Sequence, residues 1–383
     1  LSGVMSGAGS YVKAGAGTQT LTGDNSYTGS TTISAGLLKI VRDNPTSYLA
    51  ATSGFTGPGN LTIESAGGNF TADIVTGTHV QLAGTALGNL IIGKAGNTRQ
   101  IDLSSNITTT GTQTYNGPVR LVGGDRTVST TNSNVIFAST VNSDGTQRAL
   151  TVTNGTGDTT FSGAIGGSAP VKSLTITSDQ LTAGAITLNG ALTATLGGSS
   201  SITGVIANGA STANLVKAGS GTLTLSGANT YTGTTTINAG DLTVSGSLHD
   251  STAVTIASGA DYNVNASDTV ASIEGAGNIV IASSQTLTAG DGNNKTLSGV
   301  ISGTNGNIIK AGSGTLTLSA SNTYTGTTQV SAGTLTVSGS GRLSDSTAVT
   351  VESGAVYNVA VSDTVASIAG AGSITLGSNT LTS

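Results

Sequence analysis

The chain has 383 residues, a formal net charge of −5, only 8 % charged residues, 58 glycines, and neither cysteine nor tryptophan. This excludes disulfides and thiolate chemistry. It also excludes a nucleic-acid surface, because the 13 Lys and Arg form no basic cluster, and a membrane helix, because no run of 18 apolar residues occurs. With 36 % hydrophobic residues and little net charge, the composition is also not that of a disordered chain.

In chain order, the first recognisable element is a long motif, Lys13-Ala-Gly-Ala-Gly-Thr-Gln-Thr-Leu21, continuing through Asn25-Ser-Tyr27-Thr-Gly29 to Ala35-Gly36-Leu-Leu38. Residues 41–104 match neither this motif nor the one that follows it. The stretch 105–200 carries a second style, in Thr112-Gln-Thr-Tyr115-Asn-Gly-Pro-Val119 and Thr160-Phe161-Ser-Gly-Ala-Ile165. The first motif then returns twice. One copy runs from Lys217 through Asn229-Thr-Tyr231-Thr-Gly233 to Leu242, the other from Lys310 through Asn322-Thr-Tyr324-Thr-Gly326 to Leu335. Their sequels match as well: Asp250-Ser-Thr-Ala-Val-Thr returns at Asp345, and Ser267-Asp-Thr-Val-Ala-Ser-Ile273 returns at Ser362. The spacing is 93 residues at the lysines and 95 at the aspartates, so two residues near Gly341-Arg342 are a loop insertion.

Leu223-Thr-Leu225, Leu242-Thr-Val244, Val254-Thr-Ile256, Leu316-Thr-Leu318 and Leu335-Thr-Val337 alternate apolar with polar, the period of a half-buried strand. Each ends at Gly, Asn or Asp, the chemistry of turns. Leu225, Val244 and Val264 step by 19 and 20 residues. A closed coil of about 20 residues with two or three short strands fits that step, and stacked coils would pair strands about 4.8 Å apart. A β-sandwich array would show linkers, and a propeller a constant repeat of 40 to 50 residues. The fold class expected is therefore all-β, a β-solenoid.

The three long motifs resemble the passenger-associated transport repeat of bacterial autotransporters. The motifs of 105–200 resemble repeats of large filamentous-haemagglutinin-type secreted adhesins. Both resemblances imply a right-handed parallel β-helix and a bacterial protein exported by a type V route, extracellular or on the outer surface, with roles in adhesion or biofilm. The organisation expected is one continuous β-solenoid over 1–383, with autotransporter-type repeats at 1–40, 201–295 and 296–383 and irregular haemagglutinin-type coils at 41–200.

The repeat positions singled out are Asn25, Tyr27, Gly29, Asn229, Tyr231, Gly233, Asn322, Tyr324 and Gly326. Asn followed two residues later by Tyr reads either as a ligand-binding ladder or, preferably, as a turn in which Asn bonds its own backbone and Tyr covers the coil edge. Asp250/Asp268 and Asp345/Asp363 are the best repeated carboxylates. β-Helices host polysaccharide hydrolases and lyases, but two acids alone are weak grounds for catalysis. Asp291-Gly-Asn-Asn294 reads as an ordinary turn, and His79 and His249 lack a paired ligand pattern. No catalytic, metal or cofactor-binding residue is expected.

Leu1–Gly7 matches Leu297–Gly303, and Asn379–Ser383 matches Gln285–Ala289. The segment is thus expected to be one unit of a longer tandem array or an end-to-end filament, with self-association as one partner reading. The leading function is a structural stalk or fibre of a secreted adhesin and not an enzyme. The alternative is a module that binds a host or matrix glycan or protein through residues 41–200, and a polysaccharide-active enzyme comes third. No nucleic acid and no membrane insertion by this segment are expected.

Overall fold

The computed structural model describes residues 1–45, 54–82 and 87–383; part of the 41–200 segment lies outside them. Among the described residues there are 47 strands, from Ser6–Gly7 to Leu381–Thr382, and no helix. Strand pairs are parallel and join each strand to its equivalent one coil later, for example Leu223↔Leu242 and Leu242↔Tyr262. Short β-favouring segments cut by glycine turns leave no room for a helix, and coiling buries one face of every strand. The expected β-solenoid is what forms, with coils of about 20 residues. The chain divides into two compact units, Leu1–Ala191 with Gly209–Ser211, and Leu192–Asn208 with Thr212–Ser383.

In the first unit one wall runs through Leu37–Val41, Asn60–Glu64, Leu90–Ile92, Gln113–Tyr115, Val135–Phe137 and Thr159–Phe161. A second is formed by Ile74–Val75, Ile101–Leu103, Val119–Leu121 and Val141–Ser143, and a third by Ile107–Thr108, Arg126–Ser129, Leu150–Thr153 and Leu174–Ser178. The coil step here is longer than 20: Leu90, Gln113, Val135, Thr159 and Leu181 stack in register, at steps of 22 to 24 residues. At its centre Tyr115, Phe137 and Phe161 form one column, with ring centroids 5.0 and 4.8 Å apart and planes within 10°. The buried Tyr115 hydroxyl donates to Gln113 Oε1 at 2.6 Å. Gln113 Nε2 in turn donates to Thr109 Oγ1 at 3.1 Å and Ser129 O at 2.7 Å.

The second unit has three walls, visited in the chain order first, third, second. The first holds Thr222–Leu225, Gly240–Val244, Ala260–Val264, Asn278–Ile281 and Ile301–Ser302. The second holds Asn214–Ala218, Thr235–Ile237, Ala253–Ile256, Ser272–Gly275, Lys295–Leu297, Thr315–Leu318, Thr334–Val337 and Val356–Val359. The third holds Asp268–Val270, Thr286–Ala289, Asn307–Lys310, Thr328–Val330, Ala348–Val351 and Ser367–Gly370. Leu225, Val244 and Val264 stack inside, as their 19- and 20-residue steps predict.

The two full repeats of this unit lie on different walls. Thr222–Leu225 belongs to the first wall and its copy Thr315–Leu318 to the second. Lys217 lies on the second wall and Lys310 on the third. Along the first wall, four coils lead from Leu223 through Leu242, Tyr262 and Ile279 to Ile301. The chain then crosses the third wall before reaching Leu316 on the second. One 93-residue repeat therefore makes four and two-thirds turns.

Candidate functional site: the coil-to-coil clamps of the repeat

The repeat positions converge on the coil interior and its corners. In Leu215-Val-Lys217 the strand alternation puts Leu215 and Lys217 inward, and both are fully buried. The Lys217 ammonium has three N–H groups and meets three carbonyl oxygens: Ala218 at 2.9 Å, Gly219 at 2.8 Å and, one coil on, Ala239 at 3.0 Å. Lys310 makes the same cage with Ala311, Gly312 and Ala332, and Lys13 with Ala14, Gly15 and Ala35. Burial pushes the Lys217 ammonium down to about 8, and that of Lys310 down as well. At pH 7 Lys217 still carries its charge and so all three donors.

Asn229 is buried and ties three coils together. Its Oδ1 accepts from Ile206 N–H on the coil before (2.9 Å), and its Nδ2 donates to Gly227 O (3.0 Å) and to Ser247 O on the coil after (2.9 Å). Asn322 repeats this with Ile301, Ala320 and Arg342. Asn25 bonds Met5 N–H and Gly23 O. Asn229 and Asn322 therefore bond their own turns and also the neighbouring coils. Their inward position, and a copy-to-copy shift from wall to wall, prevent them from forming an exposed ligand ladder.

The tyrosines do not cover the coil edge. Tyr231 and Tyr324 are fully buried, their hydroxyls bonded to Thr235 Oγ1 at 2.6 Å and Thr328 Oγ1 at 2.5 Å. Tyr27, half-buried, bonds Thr31 at 2.5 Å. A buried phenol needs a partner, and the threonine four residues on supplies it. Gly233 and Gly326 follow where coils touch: a Cβ there would lie 2.2 Å from Ala213 O and 2.3 Å from Gly306 O. At Gly29 it would lie 2.4 Å from Gly9 O.

Of the repeated acids, Asp268 and Asp363 point inward and are buried. Asp268 accepts from the Tyr262 hydroxyl at 2.8 Å, and from Leu248 N–H on the preceding coil and Thr269 N–H at 3.1 Å. Asp363 has the equivalent partners Tyr357, Leu343 and Thr364. Asp250 and Asp345 are exposed, so each pair is split between interior and surface. Asp291 closes a tight turn through Asn293 N–H at 2.7 Å. His79 Nδ1 accepts from Val75 N–H, and His249 meets Ser251. Among the described residues no three His, Asp or Glu side chains converge as a metal would require.

Burial pushes the Asp268 carboxyl up to about 6 from the ordinary 3.8, against the hydrogen bonds that lower it. A carboxyl raised in the folded state contributes stability that is fully present below its unfolded pKa and lost as pH rises through its folded pKa. The second unit should thus resist guanidinium better at pH 4 than at pH 7, by up to about 3 kcal/mol from Asp268. Asp363, also raised, acts in the same direction. The check is the denaturation midpoint of wild type against Asp268→Asn across this window. An unchanged pH dependence in the variant would contradict the assignment.

Comparison with known proteins falls on the same residues. The passenger-associated-transport-repeat family matches at residues 12–40, 215–244 and 308–337, the spans that hold the three lysine cages. The Adhesin BmaC autotransporter of Brucella suis biovar 1 (strain 1330) is 33 % identical over 131 residues, 31 % of this chain. The match spans 4 % of that protein's length. No solved structure matches the chain. The cage and the buried Tyr–Thr pair lie within the spans that the family's model matches, and the chain is a β-solenoid carrying three stretches similar to the passenger-associated transport repeat.

Proposed function

We propose that this chain is a spacer of a secreted bacterial surface adhesin, a stalk or fibre segment that supplies reach and not catalysis. What carries this reading is the difference between what the two full repeats share and what they do not. Lys217/Lys310, Asn229/Asn322, Tyr231/Tyr324, Thr235/Thr328, Tyr262/Tyr357 and Asp268/Asp363 are the same residues in both copies, and all are buried. Most charges on the outside are not repeated: Asp250 returns as Asp345, but Asp241, Asp261 and Glu274 become Thr334, Val356 and Ala369. A surface that recognised a ligand in each copy would repeat its recognition chemistry. Here the duplication keeps the full interior set that closes a coil and joins it to the next, as in other solenoids stabilised by nearest-neighbour interfaces.

The test uses bacteria that display the full-length protein. Deleting residues 217–309 removes one whole repeat and leaves Lys310 in the setting of Lys217. The stalk should fold and shorten by about 22 Å, four and two-thirds coils at about 4.8 Å each, with attachment declining in proportion to reach. Replacing Asp241, Asp261 and Glu274 together by their third-copy residues should leave attachment intact. Loss of attachment on that surface exchange, with surface display unchanged, would sink the spacer reading.

A further inference from the structure

In the first unit the wall opens between Ile165 and Val171. Ile165 pairs with Ile186 and Val171 with Leu188. Only Thr187 separates the second pair of partners, whereas Gly166–Pro170 separates the first. The surplus chain leaves the wall as a loop, a bulge of the kind that re-aims side chains beside binding sites. Gly166 starts it at φ +72, and a Cβ there would lie 2.2 Å from Thr187 O.

The loop is held in place and has pinned neighbours. Asn142 Oδ1 accepts from the N–H groups of Ser168 (3.1 Å) and Ala169 (3.3 Å), and Ser143 N–H donates to Ala169 O at 3.1 Å. On the coil before, Asp144 Oδ1 accepts from Thr146 N–H at 3.0 Å, and Ser143 Oγ accepts from Arg148 N–H at 3.1 Å. On the coil after, Asn189 Oδ1 accepts from the N–H groups of Ala210 (2.5 Å) and Ser211 (3.2 Å). These segments enclose a surface hollow of about 310 Å³, within the range of small-ligand sites, about 300–1,000 Å³.

The lining fixes the chemistry. Thr146, Gln147, Ser168 and Asn189 line the hollow, and among the described residues the two hydroxyls, the Gln147 amide and the Asn189 Nδ2 have no hydrogen-bond partner. Pro170, Ala169 and Ala210 supply small apolar surface beside them. Two cations stand near, and each is paired: Arg148 with Asp144 at 3.2 Å, and Lys172 with Asp125 at 3.4 Å. With those charges cancelled, nothing favours a carboxylate or phosphate. Alternating donor-acceptor groups against an aliphatic patch suit a chain of neutral sugar rings, which offers hydroxyls at its edges and C–H groups on its faces.

We infer that this hollow is a subsite for a neutral oligosaccharide. The inference does not depend on the spacer reading: a stalk without this site, or a site on a chain that is no stalk, would each show in its own experiment. Without an aromatic platform the affinity of one site is on the order of millimolar. Strong attachment would then come from several sites acting at once.

The test is saturation-transfer NMR on the full chain with maltose, lactose and cellobiose, beside a glucuronic-acid disaccharide. At least one neutral sugar should receive saturation, and a paired Gln147→Ala, Ser168→Ala variant should weaken it fivefold or more. The circular dichroism spectrum and melting temperature of that variant should match wild type, because both side chains lie outside the coil interior. Thr224→Ala, on the second unit, should bind as wild type does. No transfer to any neutral sugar, equal transfer in the paired variant, or preference for the glucuronic-acid sugar would each overturn the assignment.

Discussion

Lys217→Met is expected to destabilise the second unit by about 3 kcal/mol, although the side chain touches no ligand and no acid. Methionine nearly preserves the volume, so the cavity term is small. What disappears is the donor set. The carbonyls of Ala218, Gly219 and Ala239 lose their charged partner, and each stranded acceptor costs about 1–3 kcal/mol when shut off from water. Part of this returns because a buried ammonium no longer has to be desolvated, so the net lies near the lower end of the sum. Arginine would not rescue it, since a planar fork cannot aim at three oxygens arranged around a point charge. The measurement is the guanidinium midpoint by circular dichroism, with Lys172→Met as control. Lys172 is more than half exposed and should shift stability by less than about 0.5 kcal/mol. Equal effects of the two substitutions would refute the cage.

Phe137→Ala should cost the first unit about 4–5 kcal/mol, towards the top of the range for removing a buried aromatic. Phe137 is fully buried between Tyr115 and Phe161, so its loss leaves two faces bare instead of one. The coils above and below are held apart by their own strand pairing and cannot collapse into the space. Each lost ring contact adds about 0.5–1.5 kcal/mol beyond area burial. Phe137→Leu, which refills most of the volume, should cost roughly half as much. Hydrogen exchange should show the loosening concentrated in Gln113–Tyr115 and Thr159–Phe161, because a solenoid coil depends on its nearest neighbours. Loosening spread evenly through the unit would count against that locality.

Much of this architecture could be read from the residues. Leu223-Thr-Leu225 and its equivalents are strands with leucine inward, and the 19- and 20-residue steps fell on true stacking partners. These worked because strand alternation and coil length are local properties. The lysine cages carry a signal of their own: in Leu215-Val-Lys217 and Ile308-Ile-Lys310 the parity that buries the aliphatic residue also buries the lysine. The inward tyrosine could have been recognised from Thr235 and Thr328 four residues later. The role of Asp268 needed a partner six residues away and another on the previous coil, Tyr262 and Leu248. Such a meeting depends on where coils close. The hollow beside Gly166–Pro170 depends on three coils at once and carries no short motif.

The four and two-thirds turns of the repeat have a consequence for arrays of such units. Because the count is not whole, each added copy lengthens the array and also swings everything beyond it through a third of a revolution. Three copies complete the cycle. A flat partner lying along one side would meet any given side chain once every third copy, and whatever sits at the tip would face a new direction each time a copy is gained or lost. Copy number would then set both the height at which a tip is held and its compass bearing.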